Sequence, residues 1–295
     1  MKRLALLLAA MGIVSVGAMA EAPTLKVISV GQEIEIENQQ GKQTFDESWL
    51  FNNVTLGYGD WTFSLQAGKM YSIDLDNGDG MHSEDSRLQI DVWKKMSDNL
   101  KLGARYRGYE KKDRWYGRWD YANNWFWSAG DVWYEATNEG DGEKYTSDTD
   151  WVKAEVFPLG FKYKDLKVGY FLNYEFTVGS DSEGQKDEYT EHQIRLYYPL
   201  YKGEKFSLNF EGRFTLSAEN GYVSGTGEEN GRHYDDFGRT RLYLRPSYKV
   251  SDSLTVYGYY AYEWRDWEYE KNAVEAEIHG GDNYQDIGLG WTYTF

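Results

Sequence analysis

Asn283 to Phe295 reads NYQDIGLGWTYTF. Ile287, Leu289, Trp291, Tyr293 and Phe295 occupy the odd positions, and Tyr284, Asp286, Gly288, Gly290, Thr292 and Thr294 the even ones. A period of two gives a strand one apolar face and one polar or small face. The chain stops on an aromatic residue, and the same phase recurs at least five times upstream. In a closed antiparallel barrel the last strand must pair with the first and leave no edge. This segment therefore predicts a closing strand.

The N-terminus carries Lys2 and Arg3, an apolar core from Leu4 to Gly17, and Ala18-Met19-Ala20 before Glu21. That pattern is a secretory signal peptide, residues 1–20, cleaved after Ala20. Residues 21–295 then form one domain, since no linker or shift of composition divides them. Removal of the leader leaves 275 residues with 30 basic and 48 acidic side chains. That acidic surplus argues against nucleic acid as a partner. With no cysteine in the chain, disulfides and thiolate metal sites are excluded. After the leader no run of 18 apolar residues occurs, so no transmembrane helix is expected. Yet 17% of the residues are aromatic, whereas a disordered acidic chain would be poor in them. Low mean hydropathy, many aromatics and two-residue alternation fit a transmembrane β-barrel with a polar lumen and an apolar outer band between aromatic girdles.

Along the chain the strands come in pairs joined by short turns, with longer acidic loops between pairs. The first strand runs about 25–37, with Ile28, Val30, Ile34 and Ile36 on one face. A Gly59-Asp60 turn links strands two and three, and a loop is expected over Ile73–Asp85. Ser97-Asp98-Asn99 turns between strands four and five. Region 110–137 alternates poorly because Trp115, Trp119, Trp125, Trp127 and Trp133 crowd it. One reading places strand six at 117–128, a turn at Ser128–Asp131 and a short strand to Asn138. The other makes 110–150 a loop folded into the pore, which leaves 12 strands. In strand eight the outward set Val152, Ala154, Val156 switches to Phe157, Leu159, Phe161, Tyr163, and Pro158 marks a bulge there. The first reading totals 14 antiparallel strands in an all-β single-chain barrel, with both termini on the short-turn side. That side is periplasmic in an outer-membrane barrel, and the long loops are extracellular.

The polar face of these strands carries the charge. Lys101, Arg105, Arg107, Arg195, Arg213, Arg239, Arg241 and Arg245 are expected to line the pore as its basic residues. Glu33, Glu35, Glu37, Asp91, Glu175, Glu211, Glu263 and Asp286 are expected to line it as its acidic residues. A cation on the lipid face costs ~2–4 kcal/mol at the midplane, so these side chains point into water. Arginines concentrate on strands five, ten, eleven and twelve, and carboxylates on thirteen, fourteen and one. An arginine wall opposite a carboxylate wall is the expectation, with a field focused across the lumen.

Over roughly 151–295 the chain resembles the monomeric porins of the outer membrane protein G type. The resemblance rests on the order and spacing of Thr190–Leu200 (TEHQIRLYYPL), His233–Arg241 (HYDDFGRTR), Tyr259–Asp266 (YYAYEWRD) and the terminal GLGWTYTF. It implies a monomeric 14-stranded pore in the outer membrane, embedded in lipid and lipopolysaccharide. Ions, sugars and short oligosaccharides would diffuse through it passively. In that family two facing histidines and the loop between strands eleven and twelve close the pore at low pH. His233 matches one histidine and takes the inward parity of Arg239 and Arg241, while Trp267 stands at the other. The corresponding loop, 218–234, carries Glu228 and Glu229.

An outer-membrane enzyme would need a nucleophile or acid–base group set among partners. His82 and His279 are read as loop residues and His192 as an interfacial ring, which leaves only His233 beside Asp235 and Asp236. No catalytic site, metal site or cofactor is expected; zinc lacks paired histidine spacing. An adhesin using its long loops, and a narrower substrate-specific porin, are the remaining alternatives.

Overall fold

The computed structural model describes residues 23–39, 44–74, 80–137, 150–178, 186–222, 230–270 and 277–295. Residues 1–20 and Glu228 and Glu229 lie outside them. Among the described residues the chain is all strand and turn: β1 (Lys26–Gln39), β2 (Thr44–Tyr58), β3 (Trp61–Asp74), β4 (Gly80–Lys95) and β5 (Leu100–Gly108) come first. β6 (Lys112–Ala122), β7 (Phe126–Thr137), β8 (Asp150–Tyr163), β9 (Leu166–Val178) and β10 (Lys186–Lys202) follow. β11 (Phe206–Tyr222), β12 (Asn230–Asp235), β13 (Arg239–Lys249), β14 (Leu254–Glu270) and β15 (Glu277–Thr294) complete the barrel.

The terminal segment does close it. β15 pairs antiparallel with β1 from Ser29 opposite Thr294 to Gln39 opposite Tyr284. Phe295 N–H then donates to the Ile28 carbonyl at 3.1 Å. β12 and β13 are two halves of one stave, because both pair with β11 on one side and β14 on the other. The fifteen segments thus make a closed barrel of fourteen staves.

Side chains sort by parity. Leu65, Phe161, Leu244 and Leu289 stand on the convex face with 51%, 52%, 44% and 60% of their surface uncovered. So wide an apolar band would be intolerable in water; lipid is the solvent that suits it.

Within 110–150, β6 and β7 pair as a hairpin of the barrel wall, between β5 and β8, which excludes the 12-stranded alternative. Its turn is 123–125, not Ser128–Asp131. Asn123 Oδ1 accepts from the amides of Trp125 at 3.0 Å and Phe126 at 2.7 Å, the local bonding by which Asn nucleates turns. Ser128 and Gly130 look like turn residues but serve Trp119. The Ser128 hydroxyl accepts from the indole N–H at 3.1 Å, and a Cβ on Gly130 would lie 2.5 Å from the indole ring.

Three further expectations change. Strands β3 and β4 run through most of 73–85, and β11 and β12 through most of 218–234, because the hairpins continue past the apolar band. His82 and His279 accordingly sit on strands, opposite Ser72 and Glu268. The bulge at Pro158 is present, with the register shifting between Val156 and Leu159. Phe157 nevertheless faces inward, packed on Trp127 at 4.7 Å and Phe171 at 5.1 Å between ring centroids.

Candidate functional site: the inner wall

Which face is the lumen follows from contacts that skip a stave. Side chains on next-but-one strands can meet only on the concave side of a curved sheet. Arg118 of β6 pairs with Asp91 of β4, and Arg105 Nη1 of β5 lies 3.4 Å from Asp131 Oδ2 of β7. Arg239 Nη1 of β13 lies 3.3 Å from Glu191 Oε2 of β10, past β11. The Tyr257 hydroxyl of β14 donates to Glu33 Oε2 of β1 at 2.7 Å, past β15. The charged parity is therefore the enclosed one.

Among the described residues, four ionic groups line this wall. In the first, Asp91 lies between Arg105 (Nε to Oδ1 2.7 Å) and Arg118, while Asp131 accepts from Arg118 Nε at 2.6 Å. Arg107 donates to Gln89 Oε1 at 2.7 Å, and Gln89 donates onward to Asp91. In the second, Arg114 pairs with Glu135, and Lys153 bridges Glu135 at 3.4 Å and Glu175 at 3.3 Å. The third centres on Glu263, 2% exposed, which meets Arg241, Arg265 Nε at 2.5 Å and Arg239 Nε at 3.2 Å. In the fourth, beside it, Glu211 holds Arg213 at 2.7 Å and Arg245 at 3.0 Å.

Arg195 donates from Nε to Gln193 Oε1 at 2.7 Å and lies over the Phe171 ring at 3.3 Å. Lys101 shares the parity of Arg105 at the turn end, opposite Asp120, and is exposed. Glu33, Glu35, Glu37 and Asp286 gather at the β1–β15 seam, where tyrosines surround them: Tyr257 on Glu33, Tyr284 on Glu37, Tyr259 on Glu35, and Tyr243 on Asp286.

The arginine wall facing a carboxylate wall does not form. The arginines of β11 and β13 are mated on their own wall to Glu191, Glu211 and Glu263. Glu263 belongs to that arginine group and not to the seam carboxylates. Sequence reading missed Arg114, Arg118, Asp131, Glu135, Lys153, Glu191 and Arg265. Correct placement of the 123–125 turn assigns the first four by parity alone; Glu191 and Arg265 share parity with Arg195 and Glu263.

His233 and Trp267 are not brought face to face. His233 stands opposite Glu219 on β11 and Glu268 on β14. Trp267 instead packs against Tyr189, Ala218 and Tyr234. The inward parity of Arg239 does not carry back to His233, because Asp236 (φ 46°) and Phe237 (φ 68°) take left-handed backbone between the half-staves. The turn stays stitched to its neighbours: Phe237 N–H donates to the Thr215 carbonyl at 3.1 Å, and Asp266 N–H to the Gly238 carbonyl at 2.7 Å. Left-handed φ on a bulky residue such as Phe is rare and needs such support. On the convex face, His192 Nδ1 shares a hydrogen bond with the Tyr170 hydroxyl at 2.6 Å.

No family profile and no curated protein matches the sequence. Solved structures do match. A bacterial polysaccharide outer membrane secretin aligns at 9% identity over 91% of this chain and 98% of that chain, with a TM-score of 0.52. OmpT, an outer membrane protein of Vibrio cholerae, aligns at 14% identity over 95% of this chain and 100% of that chain, with a TM-score of 0.48. The KdgM porin, solved in complex with disordered oligogalacturonate, aligns at 8% identity over 91% and 99%, with a TM-score of 0.40. At such identities likeness shows fold alone, and the secretin alignment carries it. The chain has the fold of an outer-membrane β-barrel. Porins are among the proteins with that architecture, and nothing in these alignments singles out the outer membrane protein G type.

Proposed function

We propose that the protein is a monomeric outer-membrane porin, seated in lipid and lipopolysaccharide after removal of residues 1–20. It passes ions and mono- to oligosaccharides by passive diffusion, without a cofactor and without catalysing a reaction. The observation that carries this is the inner wall. Its ion pairs run along the wall, within one stave or between adjacent or next-but-one staves, in the pattern of a lined channel. Fourteen staves enclose more cross-section than the eight whose lumen side chains fill. The basic residues Arg105, Arg107, Arg195, Arg213, Arg239, Arg241 and Arg245 and the carboxylates mated to them form a polar, water-wetted surface.

Liposome swelling with sugars of increasing size tests this. Uptake should fall smoothly with solute size and not saturate. Saturation with one oligosaccharide would favour the substrate-specific alternative, and no uptake by folded protein would return the enzyme or adhesin readings.

The sign of ion selectivity follows from where charge is left over. Arginines and carboxylates largely neutralise each other on the wall. In the sequence, segments 40–43, 75–79, 138–149, 179–185, 223–229 and 271–276, which connect successive strands, carry eleven Asp and Glu against three Lys. A mild cation preference is expected, read as the reversal potential in a KCl gradient; anion preference would show that the wall arginines dominate.

Acid gating through His233 is not expected. His233 lies off the lumen parity, opposite Glu219 and Glu268, and Trp267 is engaged with Tyr189 and Tyr234. Single-channel records between pH 7.5 and 5 should show equal open probability for wild type and Trp267→His. Sharp closure near pH 6 that is lost in His233→Ala would contradict this.

A further inference from the structure

The seam between β1 and β15 holds a carboxylate group of the wall to which tyrosine hydroxyls are bonded. Glu37 lies directly opposite Asp286 in the register, and Glu35 follows two residues along the same face. Like charges directly opposed across a strand pair are destabilising, and here they sit where the first stave must join the last. One oxygen from each of Glu35, Glu37 and Asp286 lies within 4.8 Å of the other two. Ligands that share a calcium ion at 2.3–2.6 Å are at most about 5 Å apart, so the spacing suits one hard cation.

A second observation is independent of this clustering. Asp286 is 5% exposed, and its Oδ1 has no hydrogen-bond partner; the Tyr243 hydroxyl donates to Oδ2 at 3.4 Å, and Tyr259 also bonds the carboxylate. A buried carboxylate oxygen without a donor is a costly group. Among the described residues, no Arg or Lys nitrogen lies within ion-pair distance of Asp286 or Glu35. This contrasts with Asp91, Glu211 and Glu263 on the same inner face, each of which meets two or more guanidinium groups.

We propose that Glu35, Glu37 and Asp286 bind a hard divalent cation of the calcium class, which clips the first stave to the last. The oxygens are the ligand type such an ion prefers, and the lumen is its route of entry. The proposal does not depend on the porin reading, since a closed barrel of any function has this seam.

The test uses the full-length folded protein in detergent, stripped of divalent ions, with terbium as the probe. Tyr257, Tyr259 and Tyr284 surround the seam, so terbium held there should emit when tyrosine is excited. The expected result is saturable emission that calcium displaces and potassium does not, with at least tenfold weaker binding in Asp286→Asn and in Glu35→Gln. Folding of each variant is checked by its heat-modifiable gel mobility. Binding unchanged in the folded variants would assign the signal to acidic loops and overturn the proposal. Absence of saturable emission from wild type, or equal displacement by potassium, would overturn it as well and leave a shared proton as the relief of the seam. If neither variant folds, the wild-type urea midpoint decides: a rise with calcium supports the site, and no change refutes it.

Discussion

Glu263→Gln is expected to destabilise the barrel by about 3–5 kcal/mol, the range for removing one partner from a buried ionic group. Three guanidinium groups, those of Arg239, Arg241 and Arg265, converge on this carboxylate, which is 2% exposed. Loss of its charge leaves three mutually repelling cations. Arg239 retains Glu191 at 3.3 Å and Arg265 retains Asp282 at 3.9 Å, so Arg241 loses most. Water in the lumen screens part of the repulsion, which favours the lower end of the range. The comparison variant is Glu33→Gln, at a carboxylate that accepts from the neutral Tyr257 hydroxyl; its effect should stay near the ~0.5–1.5 kcal/mol of one hydrogen bond. Urea unfolding of vesicle-inserted protein measures both. Equal effects would mean that the ionic group at Glu263 contributes nothing beyond a hydrogen bond.

Leu289→Arg is expected to cost ~2–4 kcal/mol, because it puts a cation on the lipid face of the closing strand. Leu289 is 60% exposed and stands opposite Ile34 on β1 and Gly258 on β14, in the middle of the apolar band. Arg245→Ser, on the opposite parity, should cost no more than ~1 kcal/mol. That residue is partly exposed, and Glu211 keeps Arg213 when it is lost. Both substitutions change the charge by one and differ in the face on which they do it. Equal folding yields in lipid vesicles would mean that the two faces are wrongly assigned.

The closing strand was legible because lipid and water enforce opposite chemistry on alternate residues, and Ile287 to Phe295 obey that without a break. The bulge at Pro158 was legible for the same reason, as a shift of the apolar phase. The β6–β7 hairpin was not. Tyr116 and Trp133 stack inside the barrel at 5.0 Å between centroids, while Trp115 and Trp119 lie outside. Aromatic rings are tolerated on both faces, so the period-two signal vanishes where they crowd. The displacement of His233 was illegible for another reason. It depends on left-handed backbone at Asp236 and Phe237, residue types that do not announce it. The mating of arginines with Glu191 and Glu263 depends on curvature, which brings next-but-one staves within reach only after the sheet has closed. Residue parity placed most of the wall, but not who pairs with whom.

Single-channel recording in a planar bilayer tests most directly whether the inner wall encloses a continuous aqueous path. Folded wild-type protein added to one side should give discrete current steps of uniform size, long-lived at neutral pH and ohmic at low voltage. Insertion of folded protein into the bilayer without any such steps would contradict such a path.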